Sequence, residues 1–197
     1  MPFVQNTTMK KRLCFLFSGA LLTMLTSCGG SSDSTSVDAA GKHNENLLES
    51  TGKDEKAGWF VAEVTSGGLM EAELGRLASS KGASPLVREL GQTLLNHHTQ
   101  ANTQLKQIAD LKNLVLPTQM GDDHQDLYNE IMSKNGASFD LAYLEAIMKE
   151  HKQAIKDFEE MAQEGTDVEL KAFATKSLPM LRAHLAQAEQ VEEQLNP

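Results

Sequence analysis

The helical period of the apolar residues constrains the fold most. It runs from about residue 56 to the C-terminus, and no stretch of any length alternates apolar and polar residues as a half-buried strand would. The pattern breaks at three places: Gly82 followed by Ser84-Pro85, Val115-Leu116-Pro117, and Gly165 followed by Thr166-Asp167. Ser84 suits a helix N-cap and Pro85 the first helical position, where a missing N–H is no loss. The spacing predicts helices over about 56–81, 85–113, 138–164 and 167–195. Two connections are short and one is long, and the long one holds an amphipathic segment, DDHQDLYNEIMSK. This layout predicts an all-α chain: a ferritin-like four-helix bundle with one long crossover connection carrying a short extra helix.

Before residue 56 the chain reads differently. Met9 to Cys28 runs MKKRLCFLFSGALLTMLTSC: a basic start, an apolar run, then Leu25-Thr26-Ser27 ahead of a cysteine. That is the order of a secretory signal peptide, with a bacterial lipobox at its end. The apolar run contains Ser18, Gly19, Thr23 and Thr26 and is short for a membrane span, which argues against an uncleaved anchor. Residues 1–27 are therefore expected to be a lipoprotein signal peptide, with translation beginning at Met1 or Met9. Cys28 is expected to be the lipidation site that attaches the product to a membrane. Residues 28–55 are small, polar and nearly free of large apolar side chains, so a disordered tether is expected there and the bundle domain over 56–197. The implied location is the bacterial cell envelope, on the periplasmic face or at the outer membrane.

Cys14 and Cys28 are the only cysteines, so the exported domain has neither disulfide nor thiolate ligand. Once Lys10, Lys11 and Arg12 leave with the signal, 15 basic residues face 27 acidic ones, a formal charge of −12. Such a domain repels nucleic acid and anionic lipid, which excludes both as partners.

With helical residues about 100° apart, each predicted long helix carries one ionisable residue at the centre of its apolar stripe. Glu71 lies among Val64, Leu74 and Ala78; His98 among Leu94, Ala101 and Leu105; His151 among Ile147, Met148 and Phe158; His184 among Met180, Leu181 and Ala188. His97 falls at the edge of its stripe. The four central residues are at similar heights once the crossover makes the second and third long helices parallel. Three imidazoles and a carboxylate suit one transition-metal ion such as Zn²⁺ or Cu²⁺. The competing explanation is a buried polar cluster in which Glu71 accepts hydrogen bonds from the imidazoles. A di-iron oxidase is disfavoured, because ferritin-like carboxylate sites use Glu-x-x-His and here Leu95, Met148 and Leu181 precede the histidines by three. Met70, Met148 and Met180 fit gap-filling core. Glu73 faces outward, Asn102 is either a cluster partner or a tolerated core polar residue, and His43 and His124 are expected to be solvated.

The segments FVAEVTSGGLMEAELGRLA, LLNHHTQAN, IMKEHKQAI and LPMLRAHLAQAE, in that order across about residues 58–194, resemble the helix motifs of the bacterial family known as domain of unknown function 4142. The resemblance implies a ferritin-like bundle in an exported protein or lipoprotein, without an established activity, and places Glu71, His98, His151 and His184 on the family's recurrent polar positions. The family pattern has aspartate before the histidines of its second and third helices, where this chain has His97 and Glu150. The expected function is a lipid-anchored envelope protein with a buried Glu/His cluster that binds a transition-metal ion. Two alternatives stand beside it: an interaction module for another envelope protein, and a redox or oxidase-type metalloenzyme.

Overall fold

The computed structural model describes residues 35–52 and 56–196. The signal peptide and Cys28 lie outside the described residues, among which six helices and no strand are found: α1 (Val37–Ser50), α2 (Lys56–Lys81), α3 (Pro85–Lys112), α4 (Asp122–Ser133), α5 (Ala137–Glu164) and α6 (Val168–Leu195). The four long helices match the periodicity to within a residue or two at their ends. Local chemistry explains this. Ser84 caps α3 by accepting from the Leu86 N–H, with Pro85 in the first turn, and Asp167 caps α6 by accepting from the Leu170 N–H. Asn113 ends α3 in the left-handed region, at φ 57°. Helix α6 continues through Pro179.

The long helices pack chiefly as two pairs, α2 with α3 and α5 with α6, with α4 bridging α2 and α5. Glycine sets how close the first pair comes. A Cβ on Gly75 would stand 2.7 Å from the Gly91 carbonyl oxygen, and one on Gly91 would stand 2.8 Å from that of Gly75, so backbone meets backbone at this crossing. The α2–α3 turn is also clamped from α5. Buried Asp140 accepts from the Ala83 N–H at 2.9 Å and the Ser84 N–H at 2.7 Å, while Arg88 donates to the carbonyls of Gly82 and Ala83. Those contacts satisfy backbone groups that a helix end leaves unpaired. One apolar core lies towards this turn, around Leu74, Leu90, Phe139 and Tyr143. A second lies towards the other end, around Val61, Leu105, Phe158 and Phe173. The polar cluster sits between them.

The expected tether needs correction. Residues 37–50 form helix α1, capped by Ser36 and packed on α2. Its buried face is Val37, Ala40, Gly41, Asn44 and Leu48, a helical stripe of mostly small residues. A Cβ on Gly41 would collide with the Trp59 indole, so the glycine lets the two helices close together. Asn44 is fully buried and reads the crossover backbone in both directions: its Nδ2 donates to the Val115 carbonyl at 2.8 Å and its Oδ1 accepts from the Val115 N–H at 2.7 Å. A fixed two-bond contact of this kind replaces the large apolar anchors the segment lacks. No helix among the described residues is long and apolar enough to cross a membrane.

Candidate metal centre

Glu71 from α2, His98 from α3, His151 from α5 and His184 from α6 are brought together between the two apolar cores, with exposures of 5, 4, 0 and 2%. The Glu71 carboxylate faces two imidazoles: His151 Nδ1 is 2.9 Å from Oε1, and His98 Nδ1 is 3.1 Å from Oε2. His151 Nδ1 is also 3.0 Å from the Ile147 carbonyl one turn back on its own helix. A ring nitrogen facing only acceptors carries the proton, so both Nδ1 atoms are donors: that of His98 faces Glu71, and that of His151 is aimed at the Ile147 carbonyl with Glu71 Oε1 beside it. The opposite nitrogens turn inward. His151 Nε2 lies 3.1 Å from His184 Nδ1. With its own Nδ1 protonated, His151 accepts here and His184 donates, and an ion at this place would require that proton to sit on His184 Nε2, facing His97 Nδ1 at 2.8 Å. His98 Nε2 is buried without a hydrogen-bond partner.

The three imidazoles each offer a nitrogen, and these three atoms lie within 4.8 Å of one another. Two nitrogens on one tetrahedral zinc, each about 2.0–2.1 Å from it, stand roughly 3.3 Å apart. The 3.1 Å between His151 and His184 is therefore already close to ligand spacing, and His98 has only a small distance to close.

Electrostatics favours the ligating form of two of the three rings. Burial lowers His184 to about 3, aided by repulsion from His98, His151 and His97. His98 is also lowered, by burial first, against the attraction of Glu71. His151 is raised, because the charge and contact of Glu71 outweigh its burial. Burial by itself would raise Glu71, but the imidazoles around it hold it down at about 2. An ionised carboxylate thus stands beside His98 and His184, both held towards the neutral state in which imidazole binds a metal, while it draws His151 towards the charged one.

The family model for the domain of unknown function DUF4142 matches residues 44–191, three quarters of the chain. The chain belongs to the DUF4142 family. A comparison with curated proteins finds no match. Among solved structures, this DUF4142 chain is similar to one described as "putative secreted protein DUF305" from Streptomyces coelicolor, with a TM-score of 0.60 and 10% identity over 82% of this chain and 94% of that one. At that identity the likeness is one of fold. It aligns with the all-α reading and with nothing finer.

The two positions where this DUF4142 chain departs from the pattern expected of the family are both engaged. His97 is exposed, yet its Nδ1 lies 2.8 Å from His184 Nε2 and the rings stack with centroids 5.1 Å apart. The cluster therefore continues through a fourth imidazole to the surface, which a residue at the stripe's edge only hinted at. Glu150 turns away from the cluster towards His124, at 3.7 Å. His124 is a correction. Instead of being solvated it is one-fifth exposed, and its Nδ1 is 2.6 Å from the Ser66 hydroxyl. The fold thereby assembles a serine–histidine–acid set, Ser66, His124 and Glu150, from residues up to 84 positions apart. Ser66 is fully buried and its hydroxyl already accepts the Gly121 N–H at 2.8 Å, so the trio ties the crossover to α2 and α5 and holds no accessible nucleophile.

The other expectations fall out simply. His43 is exposed, though on α1. Glu73 pairs on the outside with Arg76 at 3.3 Å. Asn102 lies against Gly68, where a Cβ would collide with its amide, and so it packs on α2 instead of joining the cluster. Met70 and Met148 are buried core, and Met180 packs on the second core. Beside the cluster, sequence gave no sign of a cavity of about 580 Å³ between α2 and α5, with Glu71 and His98 among its lining residues.

Proposed function

We propose that this DUF4142 protein is a lipid-anchored envelope protein, ferritin-like in connectivity, that binds one transition-metal ion through His98, His151 and His184. In this reading Glu71 is the carboxylate that orients two of the ligands, and His97 supports the third. The observation that carries it is the inward convergence of three buried imidazole nitrogens, one of them without any hydrogen-bond partner. Neutral nitrogen ligands with a carboxylate behind them suit Zn²⁺, Cu²⁺ or Fe²⁺ better than a hard ion such as Ca²⁺. The membrane attachment rests on the Leu25-Thr26-Ser27-Cys28 sequence.

The test is calorimetric titration of tag-free, chelator-stripped protein with Zn²⁺, Cu²⁺, Mn²⁺ and Fe²⁺. One ion should bind per chain at neutral pH, with affinity falling towards pH 5 as the imidazoles protonate. His98→Ala should abolish the binding. If none of the four ions binds the wild type, the cluster is a structural polar core.

A further inference from the structure

The cavity between α2 and α5 is large enough for a small organic molecule, and its chemistry is uneven. Its volume, about 580 Å³, lies within the range of ligand sites. Phe60, Val64, Phe158, Phe173, Met180 and Leu181 give it an apolar wall, and the buried, unpartnered Nε2 of His98 belongs to a residue of its lining. The remaining charged lining is acidic: Glu63, Glu150, Asp157, Glu160 and Glu164. Against them stand only Lys56, which pairs with Glu160 at 3.7 Å, and His124, which faces Glu150. Glu63 and Asp157 have no lysine or arginine in an ion pair among the described residues; Asp157 accepts a hydrogen bond from Gln153. Burial comes first among the causes that raise the carboxyls of both above the usual range, so a cation arriving between them relieves a cost already present. Trp59, also in the lining, has its indole packed against Gly41 of α1 and brings to the cavity an aromatic ring of the kind that attracts ammonium groups.

We propose that this cavity binds an organic cation with an apolar body, an alkyl or aryl amine, whose ammonium is held at Glu63, Asp157 and Trp59 while the body enters between α2 and α5. The site goes beyond the metal reading and does not depend on it, because none of the residues that select the cation is one of the three imidazoles.

Trp59 is the chain's single tryptophan, so its fluorescence reports on the cavity directly. The full chain, kept in chelator so that any metal occupancy is excluded, is titrated with n-octylammonium, n-octanol and octanoate at low salt. A saturable change is expected with octylammonium, about tenfold weaker binding with octanol, and weaker still with octanoate, since rim charges act over a few ångströms at low ionic strength. The double variant Glu63→Gln/Asp157→Asn alters partly exposed side chains and should bring octylammonium down to the level of octanol. Gly67→Leu should weaken all three ligands, because a Cβ there meets nothing nearer than the His124 ring at 3.7 Å and its side chain enters the cavity. Equal binding of the three ligands by the wild type, a preference that survives in the double variant, or no saturable signal with any of them overturns the proposal. Calorimetry with metal ions is a separate measurement, so loss of either result leaves the other intact.

Discussion

Replacing Glu71 with glutamine keeps the shape of the side chain, removes its charge and changes which atoms donate. Oε2 of the carboxylate faces His98 Nδ1 at 3.1 Å, and Oε1 lies 2.9 Å from His151 Nδ1, whose proton is aimed at the Ile147 carbonyl. An amide can accept on one side only and must donate on the other. His151 keeps its Nδ1 proton because the Ile147 carbonyl, at 3.0 Å, still accepts it. His98 has no such second acceptor, so it is the ring that turns its Nδ1 lone pair to the new NH₂ and moves its proton to Nε2. That proton then occupies the nitrogen the ion needs. Loss of an outer-shell partner lowers metal affinity about 10–100-fold, or about 1.4–2.7 kcal/mol. At an ion concentration a hundredfold above the wild-type dissociation constant, the ion stabilises wild type by about 2.7 kcal/mol and a thirtyfold weaker variant by about 0.9 kcal/mol. For a folded unit of this size those figures are midpoint shifts of about 5–10 °C and about 2–4 °C. Thermal unfolding with and without ion measures the two shifts, and long-range ¹⁵N NMR of the imidazoles reads the tautomers. Equal metal-induced shifts in Glu71→Gln and wild type, with His98 still protonated on Nδ1, would refute the assignment of Glu71 as the group that orients the ligands.

Three further outcomes are expected. In chelator, stability falls on acidification below pH 6.5 because His98 and His184 stay neutral when folded and take protons when unfolded, a loss that continues towards pH 3 for His184. His151 and His124, both raised, work in the opposite sense, chiefly above pH 6.5. About one net proton gained on unfolding gives a slope of about 1.4 kcal/mol per pH unit, so urea unfolding at pH 7 and 5 should separate wild type from a flatter His184→Gln profile. Asn44→Ala strips both partners from the Val115 backbone and should cost about 1–3 kcal/mol, with faster amide exchange concentrated in α1; an unchanged protein would mean that α1 docks without this contact. Cys28→Ala should shift the protein from the membrane to the soluble fraction, and unaltered fractionation and mass would count against lipidation.

The long helices were legible because their ends are decided locally. Ser84 with Pro85, Asp167 and Gly165 each act within a few residues of where they stand, so a reader of sequence sees cause and effect together. Helix α1 shows the opposite case. Val37, Ala40, Gly41, Asn44 and Leu48 are spaced for a helix, but Leu48 is the only large apolar side chain among them. What orders the segment is distant: the Trp59 indole over Gly41 and the Val115 backbone on Asn44, 71 positions away. Composition reads such a stretch as a tether because its small residues look like a lack of core, when they are what allows close packing.

The cluster was legible for a different reason, and only as far as that reason extends. Helical phase tells which residues face inward, and it singled out Glu71, His98, His151 and His184, which do meet. Phase is silent on which nitrogen of an imidazole points where, and that decides the chemistry. A structural polar core should leave few buried polar atoms without partners, since each costs about 1–3 kcal/mol. Among the described residues three remain, the Tyr143 hydroxyl in the first core and, in the cluster, His98 Nε2 and Glu71 Oε1. The His98 nitrogen carries a lone pair on a ring whose centroid lies 5.4 Å from that of His151 and 5.3 Å from that of His184, a place where a cation would satisfy it. The Glu71 oxygen lies 2.9 Å from His151 Nδ1, whose proton is aimed at the Ile147 carbonyl instead. An ion held by His151 Nε2 would leave the Nδ1 proton in place, between the Ile147 carbonyl and the Glu71 carboxylate. One added cation would satisfy both atoms of the cluster, and this is the observation that favours the proposed metal site over a polar core.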